Sequence, residues 1–384
     1  MKLRTYSVVG LLFAATAMGP GVPGASAAGP DEQPGEWVDV TPPDMGVVAG
    51  TCDSYGVASI AVDPVESSDV YAMSDCFGIW RSSDHGLTWS GPIETGRNGR
   101  TVRDCAGVIA VVRGQDEETP TILRVCIRGE GMGFWRSVDG GVAWQQIPIP
   151  LADRQDYSTI TTDPYDPDHV LITGHEMNVL AESTDRGLTW REIPMARGMQ
   201  APGSASMFFV DTGDASKTAR TWLYTPQWDG GEVGTWRTED AGETWVQVDT
   251  FEKPHGMYQI FQSDDGVMLA GGLSGSDGDG IYRSDDEGET WDLVAEGYSS
   301  AIWGASERRY SAYSWACGDC EVDAEFRSAP ADDDTDWSDA MDQPAAMRIG
   351  PAAVAVVDDG DHEVFISANW RDGVWRYVED APDD

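Results

Sequence analysis

The residues best suited to chemistry are carboxylates that recur in one short pattern. Asp286 lies in Ser284-x-Asp286-x-Gly288-x-Thr290-Trp291, and the pattern returns four more times, once with Ala143 in place of threonine. Such a carboxylate can act as a general acid, bind a metal, or accept backbone N–H groups in a tight turn. A catalytic group is required once, so a fivefold copy favours a structural turn, with catalysis or metal binding as the alternative. The repeated residues are Asp84, Trp89, Asp139, Trp144, Asp185, Trp190, Asp240, Trp245, Asp286 and Trp291.

A second group has the residue types that hold anions and sugar rings. Arginine forks bind carboxylates in two-point contacts, and aromatic rings offer flat platforms to sugars. These residues fall in predicted loops opposite the repeated turns, where we expect a ligand pocket. The alternative is that the arginines only balance nearby acidic side chains. The candidate ligand-binding residues are Arg97, Arg100, Arg154, His175, Glu176, Arg197, Trp228, Tyr298, Trp315, Arg348, Trp370 and Arg371.

The elements that must position these residues are β-hairpins. Each repeated turn follows an aromatic, β-prone run, contains a glycine suited to positive φ, and ends in a tryptophan that starts another β-prone run. The closing tryptophans, at 89, 144, 190, 245, 291 and 337, are 55, 46, 55, 46 and 46 residues apart. A period near 50 made of short strands predicts a radial β-repeat.

On this Ser/Thr-x-Asp-x-Gly-x-Thr-Trp pattern, the chain resembles the Asp-box (bacterial neuraminidase, BNR) repeat superfamily. That superfamily includes sialidases, sortilin-type propellers, xyloglucanases and photosystem II assembly-factor propellers. The resemblance covers nearly all of residues 35–380 and implies a β-propeller without indicating one activity. A sialidase would carry an Arg-Ile-Pro signature before its first blade, but the nearest string here, Arg348-Ile349-Gly350-Pro351, lies late in the chain. A xyloglucanase-like enzyme places its cleft between two propellers, and this sequence predicts one.

We therefore predict an all-β fold, a single seven-bladed propeller of four-stranded blades. The run at 38–40 resembles the last strand of a blade but has no hairpin partner before it, and the run at 374–377 has none after it. Pairing of the two would let the N-terminal strand complete the last blade and leave no open sheet edge.

The chain divides into four predicted segments: a signal peptide at 1–27, a linker at 28–35, the Asp-box propeller at 36–380 and an acidic tail at 381–384. Lys2 and Arg4 precede an apolar run that is too short to span a bilayer, and Ala25-Ser26-Ala27 resembles a cleavage site. We expect a secreted, extracytoplasmic protein that does not span the membrane.

The charge of the chain limits its partners. The formal net charge is −41, which opposes binding to nucleic acid and to anionic membranes. We expect no nucleic-acid partner, a monomer, and a glycan or protein ligand. No cofactor is predicted; calcium is the alternative, because the loops at 274–280 and 332–336 are rich in oxygen ligands, although neither has EF-hand spacing.

Six cysteines suit an oxidising compartment. Two pairs flank predicted neighbouring strands, which favours the disulfides Cys52–Cys76 and Cys105–Cys126. Cys317 and Cys320 lie in one predicted loop, between the second and third strands of blade six, and could form the disulfide Cys317–Cys320. A redox or zinc role for the last pair is the alternative, and the sequence alone leaves the pairing open.

Two functions are consistent with these features. The first is a secreted, non-catalytic binding or scaffold propeller that recognises a glycan, peptide or protein on the loop face opposite the repeated turns. The alternative is an exported glycoside hydrolase, which requires two suitably spaced carboxylates. The sequence gives no ranking among Asp153, Glu176 and Asp372 and leaves the catalytic residues unassigned.

Overall fold

The structure, a computed structural model, describes residues 33–45, 56–75, 77–94, 106–116, 118–127, 131–151, 154–199, 204–227, 234–250, 260–272, 280–297, 299, 301–316, 321–333, 335–337, 339–340, 343–347, 350–369 and 371–379. These residues form seven antiparallel sheets and one four-residue helix, α1 (Ala215–Thr218). No helix in this part of the chain is long and apolar enough to cross a membrane. The signal peptide, most of the linker and the acidic tail that the sequence predicts lie outside the described residues.

Each sheet is one blade of a propeller. Blade one contains β2 (Val57–Val62), β3 (Val70–Ser74) and β4 (Gly78–Ser82); blade two contains β5 (Ala106–Val112), β6 (Thr121–Ile127), β7 (Gly133–Ser137) and β8 (Gln145–Ile147). Blade three contains β9 (Tyr157–Thr162), β10 (Val170–Gly174), β11 (Leu180–Ser183) and β12 (Arg191–Glu192); blade four contains β13 (Ser204–Phe209), β14 (Trp222–Gln227), β15 (Trp236–Thr238) and β16 (Val246–Gln247). Blade five contains β17 (Ile260–Gln262), β18 (Met268–Gly272), β19 (Gly280–Ser284) and β20 (Asp292–Glu296); blade six contains β21 (Ala301–Gly304), β22 (Arg308–Ala316), β23 (Glu321–Pro330) and β24 (Asp339–Ala340). Blade seven contains β25 (Pro351–Asp358), β26 (Glu363–Asn369), β27 (Gly373–Val378) and β1 (Trp37–Asp39).

The N-terminal strand closes the ring. Trp37 pairs with Tyr377 and Asp39 with Trp375, so β1 is the outer strand of blade seven. The Val40 N–H continues the ladder by donating to the Val374 carbonyl at 3.0 Å. The seven-bladed all-β fold predicted from the repeat period is confirmed, and the closure agrees with the predicted one.

Blade one departs from the four-stranded pattern. Its outer strand is reduced to one bridge, between Arg81 and Ser90. Pro92 follows two residues later and has no N–H to donate, and the ladder resumes only where the Ile93 N–H donates to Ile79. The helix α1, which periodicity did not predict, lies between the first two strands of blade four and is capped by the Asp214 side chain.

The core lies between blades. One apolar cluster joins Val364 and Ile366 of blade seven to Val57 and Trp80 of blade one. The second strands are therefore covered on both faces, and all five residues of β10 are buried. Burial on both faces explains why these strands read as continuous apolar runs rather than alternating ones.

The repeated carboxylates stabilise the turns that contain them. In blade five, Asp286 Oδ1 accepts the Thr290 N–H at 2.8 Å, and Asp286 Oδ2 accepts the Thr290 hydroxyl at 2.6 Å. Burial opposes ionisation, but bonds from Thr290 and Ser284 hold the pKa of Asp286 below its usual value. The chain turns through positive φ at Glu287 and Gly288, at 59° and 80°. Asp84, Asp139, Asp185 and Asp240 accept the corresponding N–H groups in their own turns.

Arginines on the third strands bind the next blade. Arg136, Arg237 and Arg376 are buried, and their Nε–H groups donate to the carbonyls of Arg186, Glu287 and His85 at 2.9–3.0 Å. Each of these carbonyls belongs to a positive-φ residue in the repeated turn of the following blade. The contact from Arg376 to His85 links blade seven to blade one, so it stabilises the junction at which the ring of blades closes.

Blade three has glutamate where these arginines stand. Glu182 occupies the position, and His169 on the second strand faces it, with Nε2 to Oε1 at 2.8 Å. His169 Nδ1 lies 3.1 Å from Asp163 Oδ2. Arg191, on the outer strand, pairs with Glu182 and donates to the Ala241 carbonyl of blade four at 3.3 Å. Blade three thus keeps the contact to the next blade through a different arginine.

Candidate functional site

The mouth face is defined here as the face formed by loops between second and third strands and by loops between blades. Alternating strand directions place it opposite the repeated turns. On this face, blade three brings together three residues that the sequence singled out: Arg154, His175 and Glu176. A fourth residue, Asp156, lies among them.

Asp156 is the buried centre of this cluster. It has no exposed surface, and its Oδ2 lies 3.1 Å from His175 Nδ1. The His175 N–H also donates to the Asp156 carbonyl at 2.8 Å. Arg154 forms an ion pair with Asp156 and a second one, at 3.2 Å, with Glu176 Oε2. The histidine ring and the arginine are therefore both oriented by one buried carboxylate.

Glu176 is the accessible member of the cluster. Its side chain is 44% exposed. It adopts a φ of 51°, which is uncommon for a residue with a Cβ. The turn after β10 thus presents a carboxylate toward solvent while Arg154 holds it.

The cluster does not fit a resident metal ion. Asp156, His175 and Glu176 offer ligand atoms within 4.8 Å of one another. However, the Arg154 guanidinium already binds both carboxylates, so a positive group occupies the place of a cation. Of the two loops considered for calcium, 274–279 lies outside the described residues. In the second loop, Asp333 accepts the Thr335 hydroxyl at 2.6 Å, as in an ordinary turn.

The corresponding turn of blade one carries another carboxylate. Asp75 follows β3 as His175 follows β10, and its N–H donates to the Gly56 carbonyl at 3.0 Å, as the His175 N–H does to Asp156. Asp75 is buried. Beneath this turn, the buried pair Arg124 and Glu94 is joined at 2.8 Å.

Sequence reasoning missed Asp75, Asp156, Glu94 and Arg124. Aligning the blades on their second strands would have found Asp75, because it takes the place of His175. Asp156 immediately precedes a first strand, one residue before Tyr157, and this position could have been compared with Gly56 in blade one. The pairing of Glu94 with Arg124 joins two blades and leaves no local pattern.

The other predicted ligand residues are scattered or undescribed. Arg197 is exposed in a turn between blades three and four, and Arg371 lies in the turn before β27. Trp315 lies in β22, but its side chain is outside the described part. Asp372, next to Arg371, accepts the Trp375 indole N–H through its carbonyl at 2.6 Å. The residues outside the described ranges are Arg97, Arg100, Trp228, Tyr298, Arg348 and Trp370.

The predicted disulfides are described at one cysteine. Cys126 is buried in β6 and is disulfide-bonded. Cys52, Cys76, Cys105, Cys317 and Cys320 lie outside the described residues, so the proposed pairings remain predictions.

A cavity of about 440 Å³ lies along the ring axis. The first strands of all seven blades contribute to it, through residues such as Ser59, Thr159, Ser206, Gln262 and Val354. None of the described residues that line this cavity is charged. Its wall thus contrasts with the −41 net charge of the chain.

Comparison with known proteins finds sequence similarity to xyloglucanases and structural similarity to β-propellers. No protein-family model matches the sequence. The chain is 26% identical over 289 residues to a xyloglucanase of Hypocrea jecorina, covering 63% of this chain and 33% of that protein. The matched region covers about two thirds of this chain but only about a third of the length of these xyloglucanases.

Two solved structures share the fold. An ancestral GH74 enzyme superposes with a TM-score of 0.64 at 16% identity, over 86% of this chain and 48% of the enzyme. YCF48 from Cyanidioschyzon merolae superposes with a TM-score of 0.54 at 12% identity, over 89% of this chain and 98% of YCF48. The chain is a seven-bladed β-propeller of the architecture seen in GH74 and YCF48 proteins.

Proposed function

We propose that this chain is an exported propeller of the Asp-box type that hydrolyses a xyloglucan-like β-glucan bound on the mouth face. The observation that carries the proposal is the sequence similarity to xyloglucanases over about two thirds of the chain. This similarity supports the glycoside hydrolase interpretation over the non-catalytic scaffold that the sequence favoured. The signal-like segment at 1–27 supports export.

Glycoside hydrolysis requires one carboxylic acid to protonate the leaving oxygen and one carboxylate to act as base or nucleophile. Glu176 is accessible on the mouth face and is held by Arg154, so we assign it to one of these roles. Asp156 is bound by both His175 and Arg154, so we assign it the role of orienting these two side chains.

The second carboxylate must come from another blade. Asp75 is the strongest described choice, because the blade-one turn presents it on the same face and in the same register as His175. Asp372, in the turn before β27, is the other described carboxylate that the sequence had suggested. Arg154 is engaged with two protein carboxylates, so the cluster favours a neutral glycan over an anionic sugar.

The test is release of reducing ends from purified xyloglucan by the wild type and by Glu176→Gln and Asp75→Asn. We expect each substitution to lower kcat by about 10²–10⁴-fold, the usual contribution of a catalytic acid or base, and Glu176→Gln to change the Tm by no more than a few degrees. Glu192→Gln is the matched control, because Glu192 is an exposed carboxylate on the outer strand of the same blade. The control should retain full activity.

Affinity electrophoresis in xyloglucan gels separates the two functions. Retardation without reducing-end release would favour a non-catalytic glycan-binding propeller. Neither retardation nor release, across a panel of neutral β-glucans, would refute the proposal.

A further inference from the structure

A buried arginine interrupts the apolar interior between blades one and two. Arg124 lies in the middle of β6, has no exposed surface, and donates from Nη1 to Glu94 Oε1 at 2.8 Å. Its Nε and Nη2 have no hydrogen-bond partner in the part of the chain that the structure describes. Buried donors without acceptors destabilise a fold, so an arginine at this position calls for a reason other than packing.

The equivalent position in the other blades is never charged. Arg124 pairs across the sheet with Trp135, and the same pairing identifies its counterparts on the other second strands. The counterparts are Ala72, Ile172, Tyr224, Ala270, Ala312 and Ser367. The propeller repeat therefore does not require a cation at this position. The presence of Arg124 must be explained by the groups next to it in blade one.

Blade two faces the mouth turn of blade one. The Glu94 carboxylate packs against Gly78, so closely that a Cβ at Gly78 would overlap it. Gly78 adopts a φ of 83° and pairs with Ser74, the residue before Asp75. The Arg124–Glu94 pair thus lies directly beneath the turn that begins with Asp75 and ends at Gly78.

Charges on this turn act on the arginine. Burial lowers the pKa of Arg124, and the negative charges of Glu94 and Asp75 act in the opposite direction. These two carboxylates are the described charged groups that act on Arg124, and its cross-strand partners, Ile109 and Trp135, are apolar. Since Asp75 is itself buried, it needs a nearby positive charge to remain ionised.

We propose that Arg124 is a positioning residue, anchored by Glu94, whose positive charge keeps Asp75 ionised at the channel mouth. Blade three achieves the same end within one blade, where Asp156 is bound by Arg154 and His175. In blade one the counter-charge comes from the neighbouring blade. This inference rests on the proposed hydrolysis, in which Asp75 acts as the ionised carboxylate.

The first experiment is the pH dependence of kcat on xyloglucan for the wild type, Arg124→Met and Arg124→Lys. For Arg124→Met we expect the acid limb to move up by about one pH unit or more, so that kcat on that limb falls about tenfold or more because less Asp75 is ionised. KM should change little. Lysine keeps the charge, so it should return the acid limb toward the wild-type position.

Leu123→Ala is the control for a purely structural role. Leu123 is the buried neighbour of Arg124 on the same strand. This variant should lower the Tm while leaving the pH profile unchanged. An Arg124→Met enzyme that behaves like Leu123→Ala would overturn the proposal.

A second measurement does not depend on activity. The Tm losses of Asp75→Asn, Arg124→Met and the double variant should be clearly non-additive at pH 7, because the two side chains interact. Additive losses would overturn the inference even if xyloglucan is hydrolysed. If the Tm losses are non-additive but the wild type cleaves no glycan, the proposed function is refuted and the interaction between Arg124 and Asp75 stands.

Discussion

Replacing His169 by leucine should make part of the stability of the propeller independent of pH. The imidazole is almost fully buried between Asp163 and Glu182, with each ring nitrogen near a carboxylate oxygen, at 3.1 and 2.8 Å. A neutral ring has one N–H and can donate to only one of these carboxylates, so the geometry requires the charged ring. Leucine would retain apolar contact with Phe209 and Trp222 but would leave both carboxylates without this donor.

The expected magnitude follows from the two bonds. Hydrogen bonds to charged groups contribute about 1.5–3 kcal/mol each, and removing one partner of a buried charged pair costs about 3–5 kcal/mol. Asp163 keeps its bond from the Tyr165 N–H and Glu182 keeps Arg191, so part of the loss is compensated. We therefore expect His169→Leu to lower the free energy of unfolding by about 3 kcal/mol at pH 6.

The decrease in the free energy of unfolding caused by His169→Leu should become smaller as the pH rises. Burial disfavours the charged ring, but the hydrogen bonds with Glu182 and Asp163 outweigh burial and raise the pKa of His169 above its ordinary value. A raised folded-state pKa gives stability that is complete below the unfolded pKa of about 6.5 and is lost as the pH rises through the folded value. The difference between wild type and variant should thus be largest near pH 6 and smaller in the alkaline range.

Urea unfolding followed by tryptophan fluorescence from pH 5.5 to 9 would measure this difference. His362→Leu is the control, because His362 is partly exposed and its nearest carboxylate contact is 3.7 Å. It should change the free energy of unfolding by less than about 1 kcal/mol at every pH. A wild-type-minus-His169→Leu difference that stays constant, or grows with pH, would refute the assignment of a charged imidazole.

Two further predictions concern the scaffold. Arg237→Met should lower the free energy of unfolding by about 2–4 kcal/mol, because it removes the bond to the Glu287 carbonyl and the ion pair with Glu239. The control is Arg283→Met, at the equivalent but more exposed position in blade five, which should lower the free energy of unfolding by less than about 1 kcal/mol. Equal losses in chemical denaturation would show that the contact between blades contributes nothing. Asp240→Ala should cost about 1–3 kcal/mol, since the Thr244 N–H and hydroxyl lose their acceptor, and if hydrolysis occurs its kcat should be unchanged, which a catalytic role for the repeated aspartates would contradict.

The fold could be predicted because its information is local and repeated. A turn such as Ser284–Trp291 specifies its own hydrogen bonds, so five copies at a regular spacing were enough to count blades and to find unpaired runs at both ends. The exceptions have causes that no repeat encodes. The outer strand of blade one is interrupted at Pro92, and α1 depends on capping by Asp214 within an insertion.

The candidate site could be predicted only in part. Arg154, His175 and Glu176 were chosen for their residue types and predicted loops, and the structure brings them together. Asp156 was missed, although it contacts Arg154 and His175, because it looks like any acidic residue before a strand. Arg124 was missed because its partner Glu94 lies 30 residues away, across a boundary between blades.

The pairing of β1 with β27 has a consequence for how the molecule is assembled. Trp37 and Tyr377 are separated by 340 positions (377 − 37). The pairing of β1 with β27 therefore cannot form until every intervening blade has been synthesised. Contacts at such separation are entropically slow to form, and the first strand must wait with its backbone groups exposed. Moving β1 to the end of the chain by circular permutation would turn its pairing with β27 into an ordinary hairpin. We expect the permuted protein to refold faster and to reach the same final architecture.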